Sequence, residues 1–243
     1  MTGASPRAPS PAPAKGGPAA DALAADAPGQ DCPICPRLVA LRQKNRESEP
    51  GWHNAPVPSF GPVSARLLVI GLAPGLKGAN RTGRPFTGDY AGDLLYETLG
   101  KFGFAEGAYG RSADDGFRLI DCRITNAVRC VPPENKPTPS EIAGCRPFLA
   151  GEIAAMPRLA AIMALGAIAH ASTLAALGER LSRRPFKHGV LHELEGGLVL
   201  ADSYHCSRYN TNTGRLTAAM FEAVVAALKA HLDQEVKDSA SAG

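Results

Sequence analysis

The sequence predicts an α/β protein, a three-layer α/β/α sandwich around a mainly parallel four-stranded sheet. Two observations predict it. Four short apolar runs each give way to Gly, Asn or His rather than to more core, and segments of helical periodicity lie between them. A third observation sets the scale: 243 residues at 44% hydrophobic content suffice for one substantial core.

Residues 1–30 come first, dominated by Ala, Pro, Gly and Ser with prolines at Pro6, Pro9, Pro11, Pro13, Pro18 and Pro28, and are expected to be a disordered tail. The first strand is read at Arg66–Ile70. A helix follows, because Ala91, Leu94, Leu95, Leu99 and Phe102 recur on one face. Phe117 to Ile120, continuing toward Ile124, reads as the second strand. Thr138-Pro139-Ser140-Glu141 is a capping box with Pro at the first helical position, so a helix should start there. Leu159–Leu165 and Leu198–Asp202 supply the third and fourth strands, and Leu216, Met220, Val224, Val225 and Leu228 keep helical spacing in a final helix. Residues 235–243 are expected to fray, leaving one folded domain over 31–234.

A formal charge of +3 is too mild to announce a nucleic-acid partner, although an average can conceal a basic face. No apolar run approaches the roughly 18 residues of a membrane helix, and the N-terminus has no apolar core like that of a secretory signal. A cytoplasmic protein is therefore expected, and in that reducing compartment spaced cysteines should be read first as metal ligands or catalytic groups. Cys32 and Cys35 form a C-x-x-C pair, and Cys130 and Cys145 form a second pair separated by fourteen residues. Four thiolates suit zinc or an iron–sulfur cluster, and the spacing does not separate the two. Ordinary buried thiols are the other reading. Cys122 and Cys206 fit no ligand spacing, and Cys122 is read as core.

In α/β sheets ligands bind beyond the carboxyl ends of strands, so the segments after each run carry the chemistry. Gly71 to Asp89 holds five glycines, which let backbone amides approach a ligand. It lacks both the Gly-Lys-Ser/Thr ending of a phosphate loop and the G-x-G-x-x-G spacing of dinucleotide sites. Ala73 and Gly75 lie in this candidate substrate-binding stretch, and Phe86 offers a flat ring that can stack on a base. Asp89 opens the next helix as an N-cap or positions water. Asn126 ends the second strand, and its amide has both the donor and the acceptor needed for the O4 and N3–H of uracil. Ser203 to Thr217 places His205 in a polar loop with Arg208, Asn210, Asn212 and Arg215, residues suited to phosphates and an unstacked duplex.

These segments together resemble the uracil-DNA glycosylase superfamily, most closely its family 5, the type B enzymes that carry an iron–sulfur cluster. The resemblance rests on G-L-A-P, G-A-N-R-T-G-R, an aromatic and T-G-D between Gly71 and Asp89, and on S-Y-H, N-T and T-G-R-L-T between Ser203 and Thr217. It spans residues 31–232. It implies excision of uracil, and of other deaminated bases such as hypoxanthine, from DNA by a monofunctional hydrolase that starts base excision repair. It also tilts the cysteine centre toward [4Fe-4S] over zinc. By the same resemblance Phe86 stacks on the flipped base, Asn126 bonds its edge, His205 faces the charge developing on its O2, and Asp89 holds or polarises water.

Two departures stand out. Family 4 enzymes carry Glu in G-E-A-P-G, whereas this chain has Leu72 and Ala73 there, as is typical of family 5. Many relatives place Pro or an aliphatic residue where Cys206 follows the His. The chain is expected to act as a monomer. A non-catalytic nucleic-acid module with a structural metal would explain the cysteines and arginines but not His205, Asn126 and Phe86 at strand ends. A nucleosidase acting on free nucleosides would not need the arginine-bearing loop.

Overall fold

The structure, a computed structural model, describes residues 27–241. Most of the predicted N-terminal tail lies outside the described residues. In chain order come α1 (Pro36–Ser48), β1 (Leu67–Gly71), α2 (Ala79–Thr82), α3 (Tyr90–Lys101), β2 (Ala105–Glu106), β3 (Arg118–Leu119), β4 (Cys122–Asn126) and α4 (Pro139–Ala154). The second half holds β5 (Ala161–Leu165), α5 (Ala167–Ala176), β6 (Leu191–Glu193), β7 (Val199–Ser203), α6 (Arg208–Asn212) and α7 (Ala218–Ser241).

The central sheet has the order β4-β1-β5-β7-β6, with β1, β4, β5 and β7 parallel and β6 antiparallel to β7. Every residue of the four parallel strands is buried, as expected of strands covered on both faces. Side chains alternate between two cores. Leu67 and Val69 of β1 join Leu95, Leu99, Phe221 and Leu228 on the α3/α7 side, while Leu68 and Ile70 join Leu149, Ala169 and Leu174 on the α4/α5 side. The three predicted layers are therefore present.

The sheet has five strands, not the four expected. The extra one, β6, is a three-residue Leu-His-Glu edge strand with no apolar alternation to betray it. The predicted second strand is also split. Asp121 takes a positive φ of 51°, accepts bonds from the Arg66 amide (2.9 Å) and Nε (2.7 Å), and divides β3 from β4. β3 then pairs with β2 in a separate hairpin. The last helix runs on to Ser241, past the fraying point expected at 235, because the apolar stripe stops but residues of fair helix propensity continue. The capping box forms as read, with Thr138 accepting from the Glu141 amide and Glu141 accepting from the Thr138 amide.

Candidate active site and cysteine centre

β1 and β4 are paired in register so that Gly71 lies beside Asn126 at their carboxyl ends. A Cβ on Gly71 would run into Asn126 Oδ1 and into the Phe86 ring, so the glycine is what lets those two side chains meet over the strand tip. A cleft of about 340 Å³ opens there, lined by Leu72, Ala73, Pro74, Gly75, Ala79, Phe86, Asp89, Tyr90, Ala91, Asn126, Asn135, His205, Ser207 and Arg208. The imidazole of His205, in the loop after β7, and the carboxamide of Asn126, at the end of β4, thus face one cavity. Asn126 is 3% exposed, and its Oδ1 is buried without a hydrogen-bond partner. A buried acceptor left open in a cleft is free to bond a ligand or a water.

Phe86 lies with its ring centroid 5.9 Å from that of His205, the planes inclined by 31°. Burial holds the His205 imidazole neutral by pushing its pKa down to about 4. A neutral ring at physiological pH presents one N–H donor. Asp89 is the single carboxylate on the described cleft wall, and it also caps α3 by accepting from the Gly92 amide (3.3 Å). Burial raises its pKa, partly offset by the amides of Gly92 and Ala91. A Cβ on Gly78 would strike this carboxylate, and one on Gly75 would come within 3.1 Å of it.

The His205 loop is braced from within. Asn210 donates its amide to the His205 carbonyl (2.8 Å), and Ser207 caps the short helix α6. Arg208 sits at the cleft edge with its guanidinium 5.2 Å from the Tyr90 ring, while Arg215 lies 4.6 Å over Tyr204. Asn212 is exposed beyond the cleft. Tyr209, 72% exposed beside Arg208, was not singled out from the sequence, because nothing in the local pattern says which way it points.

The four spaced cysteines converge. Cys32, Cys35, Cys130 and Cys145 line a second, smaller cavity with Leu38, Arg42, Val128 and Phe148. Cys35 precedes α1 with Pro36 at the first helical position, and α4 brings Cys145 to the same place. The Arg129 amide donates to Cys145 Sγ (3.4 Å). Among the described residues, His170, His192 and Asp202 form another cluster, with three ligand atoms within 4.8 Å of one another. Cys122 and Cys206 are fully buried elsewhere, Cys122 on β4 and Cys206 donating to the Ala91 carbonyl (3.3 Å).

A family model of the uracil DNA glycosylase superfamily matches residues 58–229, from before β1 into α7. A type-5 uracil-DNA glycosylase from Thermus thermophilus is 47% identical over 196 residues, covering 78% of this chain and 89% of the relative. The chain belongs to the type-5 uracil-DNA glycosylases. Two further type-5 relatives agree: one from Mycobacterium bovis is 44% identical over 200 residues (79% of this chain, 74% of the relative), and one from Pyrobaculum aerophilum is 42% identical over 192 (77% and 83%).

In this type-5 glycosylase Ala73, Gly75, Phe86, Asp89, Asn126, His205 and Arg208 share the cleft. Asn210, Asn212 and Arg215 do not line it. Asn210 is turned inward to hold the His205 backbone, and Arg215 packs on Tyr204. Leu72 and Ala73 make an apolar wall where family 4 resemblance would put Glu. Sequence reasoning missed Asn135, which reaches the cleft rim from the loop between Cys130 and Cys145 through paired positive φ angles at Glu134 (54°) and Asn135 (58°). An Asn after Pro-Pro-Glu was the only available signal, and it reads as an ordinary turn.

Proposed function

We infer that the protein removes uracil from DNA by hydrolysing the bond between base and deoxyribose, the opening step of base excision repair. The observation that carries this reading is the shared cleft: the neutral imidazole of His205, the open carboxamide oxygen of Asn126 and the ring of Phe86 surround one space. Scissile atoms inside a stacked duplex are out of reach, so the nucleotide must be turned out into that space. Phe86 then stacks on the base and Asn126 reads its edge. The C1′–N1 bond breaks with its electron pair passing to the base, whose O2 gains negative charge, and the N–H of His205 meets that charge. The sugar, carrying oxocarbenium character, is attacked by water at C1′, and the proton that water loses passes through solvent to the uracil anion, leaving an abasic site and neutral uracil. Asp89, the single carboxylate on the described cleft wall, is read as the residue that orients that water. Arg208 and Asn212 of α6, with Arg215 just beyond that helix, are read as facing the phosphates.

The cysteine cavity is read as the seat of a [4Fe-4S] cluster. Four thiols gathered in one largely apolar cavity supply a donor set that zinc or an iron–sulfur cluster can take, and the resemblance to the cluster-bearing enzymes favours the cluster. When bound, such a cluster cross-links the segment before α1 to the β4–α4 region. The residues' own part is to converge on it from Cys32, Cys35, Cys130 and Cys145. The apolar wall at Leu72 and Ala73 carries no group that would reject a purine, which supports activity on hypoxanthine as well. The protein works as a monomer in the cytoplasm; none of the described helices is long and apolar enough to cross a membrane.

Purified protein incubated with duplexes bearing uracil, hypoxanthine or normal bases should leave abasic sites in the first two only. Binding without abasic sites would favour a non-catalytic module, and release of base from free deoxyuridine but not from duplex would favour a nucleosidase. Brown colour and iron content decide the cofactor.

A further inference from the structure

Phe86 adopts a positive φ of 52°, a conformation that a bulky residue takes only when its surroundings impose it. The surroundings here are unusually specific. Tyr109 donates its hydroxyl to the Phe86 carbonyl (3.1 Å) and accepts from the Gly88 amide (3.3 Å). Tyr96 donates to the neighbouring Pro85 carbonyl (2.5 Å). A Cβ on Gly92 would strike the Phe86 carbonyl, so α3 approaches that oxygen as only glycine permits. Behind these groups Arg84 bonds Thr87 Oγ1 (2.7 Å) and pairs with both oxygens of Asp115 (2.8 and 2.7 Å). Its guanidinium lies 5.1 to 5.9 Å from the rings of Phe60, Tyr96, Tyr109 and Phe117.

We propose that Tyr109 is a positioning residue for base excision, holding Phe86 in its left-handed backbone so that the ring presents its stacking face across the cleft toward His205. Tyr109 does not itself line the cleft; its hydroxyl acts on the peptide that carries the stacking ring. Released from it, Phe86 would relax toward a negative φ, and rotation of the Cα would swing the ring away from the strand tip. The Arg84–Asp115 pair anchors the other end of the same segment, so the loop resists relaxing as a unit. This inference rests on the glycosylase reading of the cleft.

The test is Tyr109→Phe, which keeps the ring in the aromatic cage and removes only the hydroxyl. Single-turnover excision of uracil should fall about tenfold, the cost of about one lost hydrogen bond, with KM for the duplex within about twofold because ground-state binding is untouched. A double-mutant cycle separates positioning from general support: in a Phe86→Ala background the Tyr109→Phe change should cost nothing further. Wild-type rates from Tyr109→Phe, or the same loss with Phe86 already absent, overturn the proposal. Amide hydrogen exchange over residues 84–88 gives a readout that does not depend on activity. Faster exchange at Gly88 in Tyr109→Phe is expected, and unchanged exchange overturns the clamp. Failure of the wild-type protein to make abasic sites instead sinks the glycosylase reading and leaves that exchange result to judge the clamp.

Discussion

The proposed chemistry concentrates on two side chains, His205 and Asn126, whose surroundings decide their state. His205 is neutral because burial disfavours its charged form: with its pKa pushed down to about 4, the ring keeps one donor nitrogen throughout the range where DNA is stable. Between pH 5 and 8 the excision rate should therefore show no inflection near 6.5, the ordinary imidazole value. A ring titrating near 6.5 by NMR would contradict this. Removing a donor aimed at developing charge commonly costs on the order of 10² to 10³ in rate, so His205→Ala should lose about that much of kcat while its thermal midpoint stays close to wild type. Asn126→Ala removes an acceptor that makes no hydrogen bond within the chain. Its effect should fall on excision rather than on folding, as measured by single-turnover kinetics beside a denaturant melt.

At the scale of elements, buried charge ties the layers together. Glu152 of α4, about 2% exposed, accepts from Arg123 of β4 and from Arg129 (2.8 Å), which is itself 2% exposed. Burial alone would raise the Glu152 carboxyl, yet the two guanidiniums hold it below its usual range. Glu152→Ala would strand two buried cations and should destabilise the protein by about 3–5 kcal/mol, read from urea unfolding. A second bracket joins α5 to β7. His170 donates Nδ1 to Asp202 (2.6 Å) and Nε2 to the Arg184 carbonyl (2.8 Å), so both ring nitrogens face acceptors and the imidazolium is the form that fits. Burial opposes that charge, but Asp202 and the Arg184 carbonyl hold the pKa above its ordinary value. The stabilisation is complete below the unfolded pKa near 6.5 and is lost as pH rises through the higher folded value. The stability gap between wild type and His170→Gln should accordingly narrow as pH is raised from 6 to 9; a constant gap would show that the ring stays in one state.

Across the whole molecule, the cysteine cavity and the cleft are two ends of one stretch of chain. Asn126 closes β4, Arg129 bonds Cys145, Cys130 follows, and the loop beyond it delivers Asn135 to the cleft rim. On the proposed [4Fe-4S] reading of that cavity, Cys130→Ser should abolish the cluster's brown colour, lower the melting temperature and slow excision together, checked by visible absorption, calorimetry and abasic-site formation on one preparation. Loss of colour with full activity would separate the two sites.

Much of this was legible in the residue order because the signals are local. Apolar runs named the parallel strands, the Thr138 capping box named the start of α4, and the glycine-rich segment after β1 marked the ligand end of the sheet. Cysteine spacing pointed to a four-thiol cluster of residues but did not separate zinc from an iron–sulfur centre. What only the tertiary structure decided depends on groups far apart in sequence. The edge strand β6 exists by pairing with β7, Asn210 faces His205 instead of solvent, and Phe86 holds its backbone because Tyr109, Gly92 and Arg84 surround it. Periodicity records which face of an element is buried; it carries no record of which distant hydroxyl or carbonyl waits there, and those long-range partners set the geometry of the cleft.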